Sequence, residues 1–283
     1  MAAEEITCRV GFSLADTHEA MCALIERLQA ILLCMEGRGW HIDLGGCREM
    51  GPFSASVLLA TVLEGRARGQ GARVTLPKEP AELAGFCEFS GLNHFLAESG
   101  LADCSDPAND TVALRVLRGA RFSDPEPIIE LIRRSWRVSE EFAEYLRICA
   151  NEAIRNVADH AESRIGAVLC ARVDRNARDV RVAVVDRGLG VVATLAERYP
   201  ELGDDPEAAL RLVISGDMRT WPGHLGHGIS NLYSIAVNQC RGSVCLITGH
   251  GVAFHERGGR AVVRRMAYEF PGTAVLVSMP IPG

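Results

Sequence analysis

The sequence predicts an α+β protein built from two parts, and three observations lead to this prediction. The chain has 283 residues, 48% of them hydrophobic, which is enough for a substantial core and for one large domain or two ordinary ones. Over residues 1–105, strand-like runs alternate with helical patterns, which favours a small α/β domain. Over residues 106–283, two long helical patterns precede a strand-rich end, which predicts helices packed on a mixed sheet.

The first part reads as strand, helix, strand, helix, strand. Apolar residues recur at helical spacing between the first two strands, and the second helix follows a short buried strand. A segment rich in Ser, Asp, Gly, Asn and Pro over 99–110 is the predicted domain boundary. The predicted strands are 6–12, 40–44 and 72–76, and the predicted helices are 16–35 and 54–66.

The second part opens with a strand and then carries two helices, the second of which begins after Ser139 with acidic residues in its first turn. A long, largely polar stretch, 191–225, interrupts the pattern and contains one helical piece at 206–213. A further helix begins around Ile229. The other predicted helices are 125–134 and 140–161, and the predicted strands are 111–118, 166–174, 180–186, 243–249, 261–268 and 273–279.

Composition and charge favour some kinds of binding partner and some cellular compartments over others. The formal net charge of −6 argues against a nucleic-acid partner, which normally demands a basic face, but it leaves room for a local basic patch. The first residues lack an apolar leader, and the longest mostly apolar run, 55–63, is far too short to span a membrane. Ten cysteines are scattered without a C-x-x-C pair, which is typical of reduced thiols in a cytoplasmic protein and not of a zinc site.

A single lysine, Lys78, excludes two common nucleotide sites. A P-loop needs Gly-Lys-Ser/Thr, and a protein-kinase fold needs a lysine on a strand. Lys78 meets neither requirement, because it lies between two prolines in a predicted turn. Any ATP site in this chain therefore uses a design without lysine.

The first of three motifs lies on the long helix and reads Asn-Glu-Ala-Ile-Arg-Asn over 151–156. Glu152 and Asn156 are four residues apart and so share one helix face. A carboxylate there can act as a general base, and an amide oxygen one turn later can ligate Mg²⁺. Two incidental polar residues on an exposed helix edge would give the same pattern.

The second motif, Asp-Arg-Gly-Leu-Gly over 186–190, follows an apolar strand. Asp186 at the strand end can accept a hydrogen bond from an adenine amino group. Gly188 and Gly190 would let the backbone approach the base without a side-chain clash. A strand followed by an ordinary glycine turn is the simpler alternative.

The third motif, Gly-His-Leu-Gly-His-Gly-Ile over 223–229, leads into a helix. Backbone N–H groups of a glycine loop that opens a helix can bind phosphate, which would compensate for the missing lysine. Gly226, His227, Gly228 and Ile229 are the candidate residues. His224 and His227 fit loop residues better than metal ligands, because the sequence offers no carboxylate partner nearby.

Taken together in this order, the three motifs resemble the GHKL ATP-binding domain of gyrase-type ATPases, histidine kinases and anti-sigma-factor kinases. The resemblance covers about 111–283, and its Glu-x-x-x-Asn-x-x-x-His-Ala pattern is most similar to the anti-sigma-factor serine kinases. It implies ATP and Mg²⁺ as cofactors, Glu152 as general base and Asn156 as the Mg²⁺ ligand. It also implies an adenine box with Asp186 and Thr273, a phosphate loop at 226–229, and an ATP lid over 191–225.

The first part resembles the STAS fold of anti-sigma-factor antagonists, through His-Ile-Asp-Leu-Gly-Gly over 41–46 followed by a turn and a helix. Those proteins carry Asp-Ser-Ser-Gly where this chain has Gly-Pro-Phe-Ser over 51–54. Ser54 and Ser56 are the remaining candidates for phosphorylation. A serine at a helix start more commonly caps the helix.

Three classes of function follow from this reading. The first is an enzyme, an ATPase or a protein serine/threonine kinase, supported by the presence of both Glu152 and Asn156. The second is an ATP-switched protein-binding module with little turnover, supported by the altered STAS-like serine site. The third, a purely structural interaction protein, requires all three motifs to be accidental. A regulatory protein is the expected partner, and a homodimer is compatible with the resemblance because members of the class often dimerise.

Overall fold

The computed structural model describes residues 6–9, 16–33, 39–96, 110–121, 123–215 and 227–283. Its first sheet has three parallel strands in the order β1 (Ile6–Arg9), β2 (Trp40–Asp43), β3 (Ala72–Thr75). Helix α1 (His18–Leu33) connects β1 to β2, and α2 (Pro52–Ala67) connects β2 to β3. The predicted order of strands and helices in this part is confirmed. Two short helices that follow, α3 (Ala81–Phe89) and α4 (Leu92–Leu96), were not predicted.

The second sheet has five strands and is antiparallel throughout. Along the chain they are β4 (Thr111–Leu117), β5 (Ala167–Asp174), β6 (Asp179–Asp186), β7 (Ser243–His255) and β8 (Ala261–Pro280). Their order in the sheet is β4-β5-β6-β8-β7. The prediction of a mixed sheet is wrong for a simple reason: β6 and β7 run in the same direction, but β8 lies between them and pairs antiparallel with both.

Strands β7 and β8 form one long hairpin. The sequence pattern separated 261–268 from 273–279, but β8 continues through both and is paired with β7 on each side of a register shift near Gly249. On β8 this register shift falls between Phe270 and Thr273 and includes Gly272, where φ is 102°. A glycine in this conformation is typical of a β-bulge.

The helices of the second part lie between β4 and β5 and between β6 and β7. The first group is α5 (Glu126–Ser135) and α6 (Glu140–Asn156), which continues as a π-helical turn over Val157–Ala161. The second group is α7 (Val191–Ala196), α8 (Pro206–Ser215) and α9 (His227–Tyr233), which continues as a π-helical turn over Ser234–Gln239. Within the described ranges, no helix is both long enough and apolar enough to cross a membrane.

Two helices within the stretch predicted as a polar lid, 191–225, pack into the hydrophobic core. Helix α7 buries Val191, Val192 and Leu195, and α8 buries Leu210 and other apolar residues in the same core. Helix α7 was missed because six residues are too few to display a helical period. The rest of the predicted lid, 216–225, lies outside the described residues.

Both faces of the five-stranded sheet are buried, which explains the nearly uninterrupted apolar runs of its strands. On β6, Val182 and Val184 belong to a core with α5, α6 and α9, whereas Ala183 and Val185 belong to a core with α1 and α2. The side chains therefore alternate between two hydrophobic environments and not between protein and water.

Helix α2 lies between the two sheets. Thirteen of its sixteen residues are buried, as expected for a helix that is apolar all round. It packs against β5 and β6 on one side and against α1 and β3 on the other. The two parts of the chain therefore share one hydrophobic core. Most of the segment predicted as the boundary between them, 99–109, lies outside the described residues.

The start of α2 differs from the prediction made for Ser54. The helix begins at Pro52, and the backbone N–H of Phe53 donates to Asp16 Oδ1 at 3.1 Å. Asp16 therefore caps the helix from a distant segment, and burial raises the pKa of its carboxyl to about 7. Ser54 and Ser56 lie inside the helix with no exposed surface, so neither is available for phosphorylation in this conformation.

Candidate functional site

Asp186 ends β6 on the side of the sheet that α6 covers. It is completely buried. Its Oδ1 accepts a hydrogen bond from Gly188 N at 2.7 Å, and its Oδ2 accepts one from Thr273 N at 3.2 Å. The carboxylate therefore ties the turn after β6 to the neighbouring strand β8. Burial raises the pKa of Asp186 to about 7, although the two hydrogen bonds act in the opposite direction.

The two glycines after Asp186 have different roles. A side chain at Gly188 would overlap the carbonyl oxygen of Ala161, which accepts a hydrogen bond from Leu189 N at 2.7 Å. Gly188 therefore lets the turn pack directly against the end of the π-helical segment. The space that a side chain would need at Gly188 is occupied by protein atoms. Gly190 has φ of 80°, a conformation that favours glycine.

A small pocket of about 20 Å³ lies where these segments meet. Thr273 forms part of its wall and covers Asp186, which does not reach the surface of the pocket. A ring the size of adenine therefore enters only if the pocket widens. The lining residues come from α6, the turn after β6, α7 and β8: Asn156, His160, Ala161, Gly190, Val191, Thr194, Leu195 and Thr273.

A larger cleft of about 1040 Å³ adjoins this pocket between α6 and α9. Glu152 and Asn156 are half-buried and both line it, which confirms that they share one face of α6. Gly228 lies opposite them, and a Cβ added there would be 2.9 Å from Glu152 Oε2. Asn156 and His160 line both the cleft and the small pocket, so the two spaces are adjacent.

The predicted phosphate loop is described only in part. Gly226 lies outside the described residues, and His227 is the first residue of α9, with a side chain that is not described. Gly228 and Ile229 both border the cleft. The side chain of Ile229 is 3% exposed and packs in the core beneath α6, so any contact that Ile229 makes with a ligand would be through its backbone.

Two residues that sequence reasoning did not assign support the site. Asn231 Nδ2 donates to Glu152 Oε1 at 2.9 Å. In the sequence, Asn231 follows Gly228 by three residues, and this helical spacing could have indicated that both lie on the same face of α9. Thr248 is completely buried, and its Oγ1 accepts from Val191 N at 2.9 Å. Nothing in the sequence around Thr248 indicates that its hydroxyl bonds to Val191, because Thr248 simply ends an apolar, strand-like run.

The cleft is lined by two carboxylates, Glu152 and Asp159, together with amide and hydroxyl oxygens. Among the described residues, no three His, Cys, Asp or Glu side chains lie close enough together to hold a metal ion. Asn156 and Glu152 alone would leave most of a Mg²⁺ shell to phosphate oxygens and water. Mg²⁺ normally binds in this way, through one or two protein oxygens together with nucleotide phosphates.

No protein-family model matches the chain, and no curated protein matches it either. The functional argument therefore depends on the geometry of the cleft and its neighbouring pocket.

Proposed function

We propose that the chain binds ATP together with Mg²⁺ in the cleft between α6 and α9, in the manner of a GHKL-type ATPase domain. One observation carries the proposal. Residues of three motifs that are far apart in the sequence, 152–156, 186–190 and 228–231, line two adjacent spaces; the middle motif contributes Gly190, and Asn156 lines both spaces. Incidental polar residues and ordinary glycine turns have no reason to converge in this way.

Each residue has a proposed role in this arrangement. Asn156 would supply an oxygen to Mg²⁺, whose charge would neutralise phosphate oxygens in the cleft. Glu152 would accept a proton from the attacking water or hydroxyl group, and its hydrogen bond from Asn231 fixes its orientation. Asp186 would accept a hydrogen bond from the adenine amino group once the small pocket has widened enough to expose its carboxylate, since each of its oxygens has a further lone pair.

The test of the enzymatic proposal is release of phosphate from ATP, or its transfer to a protein serine or threonine, in the presence of Mg²⁺. We expect Glu152→Gln to abolish turnover and to leave nucleotide affinity within about threefold of the parent, since the carboxylate acts on the transition state. Glu201→Gln, at an exposed position outside the cleft, is the matched control and should retain turnover. Turnover that survives in Glu152→Gln would exclude Glu152 as the base.

A second candidate function, an ATP-switched binding module, is favoured by one specific observation. Arg187 follows Asp186 directly, yet its guanidinium lies against the first part of the chain, near Glu64 of α2. If nucleotide binding moves the turn after β6, Arg187 would transmit that movement to α2. This candidate predicts no turnover in the parent chain, together with ATP-dependent protection of α2 amides from hydrogen exchange.

A further inference from the structure

A separate cavity of about 600 Å³ lies at the junction of the two parts of the chain. It is bounded by α2, by α4 and by the end of β4 with the turn that follows. It shares no lining residue with the candidate nucleotide site. Its ionisable lining residues are four arginines and one aspartate: Arg66, Arg115, Arg118, Arg121 and Asp124.

The single acid does not neutralise these arginines. Asp124 is 4% exposed, and its Oδ2 accepts a hydrogen bond from the backbone N of Arg121 at 2.7 Å. Within the described parts of the chain, none of the four arginines forms an ion pair. The cavity is therefore strongly basic, although the whole chain carries a formal charge of −6.

Two guanidinium groups are held at the cavity wall. Arg115 Nη1 donates to Asp124 O at 3.4 Å. Arg66 Nη1 donates to Phe95 O at 3.0 Å, and Arg66 Nη2 donates to Leu96 O at 2.8 Å. Its Nε is buried and has no hydrogen-bond partner among the described residues. Arg118 and Arg121, by contrast, are exposed and stand at the rim.

The rest of the wall is apolar. Leu63 and Phe95 line one side, and Val116 and Leu117 line the other. Ligand sites commonly combine an apolar wall with a few convergent polar groups, and they occur preferentially where two units of a protein meet. Guanidinium groups suit carboxylate and phosphate because their planar donors match two anionic oxygens at once.

We propose that this cavity is a second ligand site, which binds a small anion that carries a phosphate or carboxylate group on an apolar body. The ligand's anionic group would contact the arginines, and its body would lie against Leu63 and Phe95. Because α2 belongs to the first part of the chain and β4 to the second, the ligand would bridge the two parts.

The experiment titrates the full chain calorimetrically with phenyl phosphate and, separately, with benzoate, two probes that share an apolar ring and differ in the anionic group. The test variant is Arg118→Gln/Arg121→Gln. The matched control is Arg257→Gln/Arg260→Gln, which removes the same charge from two exposed positions in the turn between β7 and β8. All four substituted residues are exposed, and equal melting temperatures would confirm that folding is retained.

We expect at least one probe to bind the parent and the control equally, and to bind the test variant about tenfold more weakly, as loss of charge-assisted hydrogen bonds implies. The tighter probe identifies the preferred anionic group. Absence of binding of both probes to the parent at millimolar concentration would overturn the proposal. Equal affinities in the two double variants would also overturn it, as would binding that is lost in Asn156→Ala, since the probe would then occupy the cleft beside α6.

Discussion

Asp186 and Arg187 are neighbours in the sequence, but their side chains leave the end of β6 on opposite faces of the sheet. Asp186 accepts hydrogen bonds beside the candidate nucleotide pocket. The guanidinium of Arg187 lies 4.9 Å from the centre of the Phe270 ring, and Gln29, with its amide turned to accept, is 2.9 Å from Arg187 Nη1. Burial lowers the pKa of Arg187 to about 10, and nearby Glu64 opposes this shift.

This relationship predicts that Arg187 stabilises the contact between the two parts of the chain. We expect Arg187→Ala to lower the free energy of unfolding by about 2–3 kcal/mol, because it leaves a cavity and removes the hydrogen-bond donors that face Gln29. Arg164→Ala, at an exposed position, should change it by less than about 0.5 kcal/mol. Urea denaturation measures both values, and equal effects would contradict the structural role of Arg187.

A second prediction concerns pH. Folding raises the pKa of Asp186 from the ordinary value of 3.8 to about 7, so the folded state holds this proton more tightly than the unfolded chain. The resulting stability is fully present below the unfolded pKa and is lost as pH rises through about 7. Burial shifts the pKa of Asp16 in the same direction, also to about 7.

We therefore expect the free energy of unfolding to fall between about pH 5 and about pH 8. Asp186→Asn and Asp16→Asn should each flatten this dependence, because each removes one of the titrating groups. Asp204→Asn, an exposed substitution, should leave it as in the parent. Parallel profiles in all four proteins, measured by denaturation at the two pH values, would show that neither buried carboxyl titrates in this range.

A third prediction tests the buried serines of α2. Ser56 is completely buried, and its hydroxyl makes no hydrogen bond with any described residue. We expect Ser56→Ala to raise the free energy of unfolding by about 0.5–1 kcal/mol, because it removes an unsatisfied group and introduces a better helix former. Thr61→Val is the control, since Thr61 Oγ1 donates to Val57 O at 2.8 Å, and it should bring no gain. Destabilisation by Ser56→Ala would mean that the hydroxyl has a partner.

A fourth prediction concerns the cost of a side chain at Gly190. Gly190 and Gly258 have similar φ values, 80° and 74°. A Cβ at Gly190 would lie 2.6 Å from Thr248 Oγ1, whereas a Cβ at Gly258 would meet nothing within 4 Å. We expect Gly258→Ala to cost about 1 kcal/mol of strain, and Gly190→Ala to cost at least about 2 kcal/mol more. Thermal unfolding of the two variants measures both losses of stability. Equal losses would mean that a side chain at Gly190 meets no close neighbour.

Sequence reasoning predicted the long elements well because their patterns are strong. Ser139 caps α6 through a hydrogen bond from Phe142 N, as the acidic residues after it indicated, and β6 ends at Asp186 as predicted. The shared face of Glu152 and Asn156 followed from helical spacing alone, which does not depend on how the chain folds elsewhere.

Contacts between distant segments were beyond the sequence pattern. Asp16 caps α2 although it lies 37 residues before Phe53, and no local signal pairs the two. The insertion of β8 between β6 and β7 depends on how the hairpin packs, so the antiparallel sheet could not be distinguished from a mixed one. Asp186 was correctly placed at a strand end, but its position beneath Thr273 depends on β8, which is the last strand of the chain.

Calorimetric titration with a non-hydrolysable ATP analogue, with and without Mg²⁺, tests the central claim most directly. We predict binding that Mg²⁺ strengthens in the parent and in Asn176→Ala, which alters an exposed turn, and a loss of this Mg²⁺ effect in Asn156→Ala. Absence of binding at millimolar analogue, or binding that neither Mg²⁺ nor Asn156→Ala changes, would contradict an ATP site between α6 and α9.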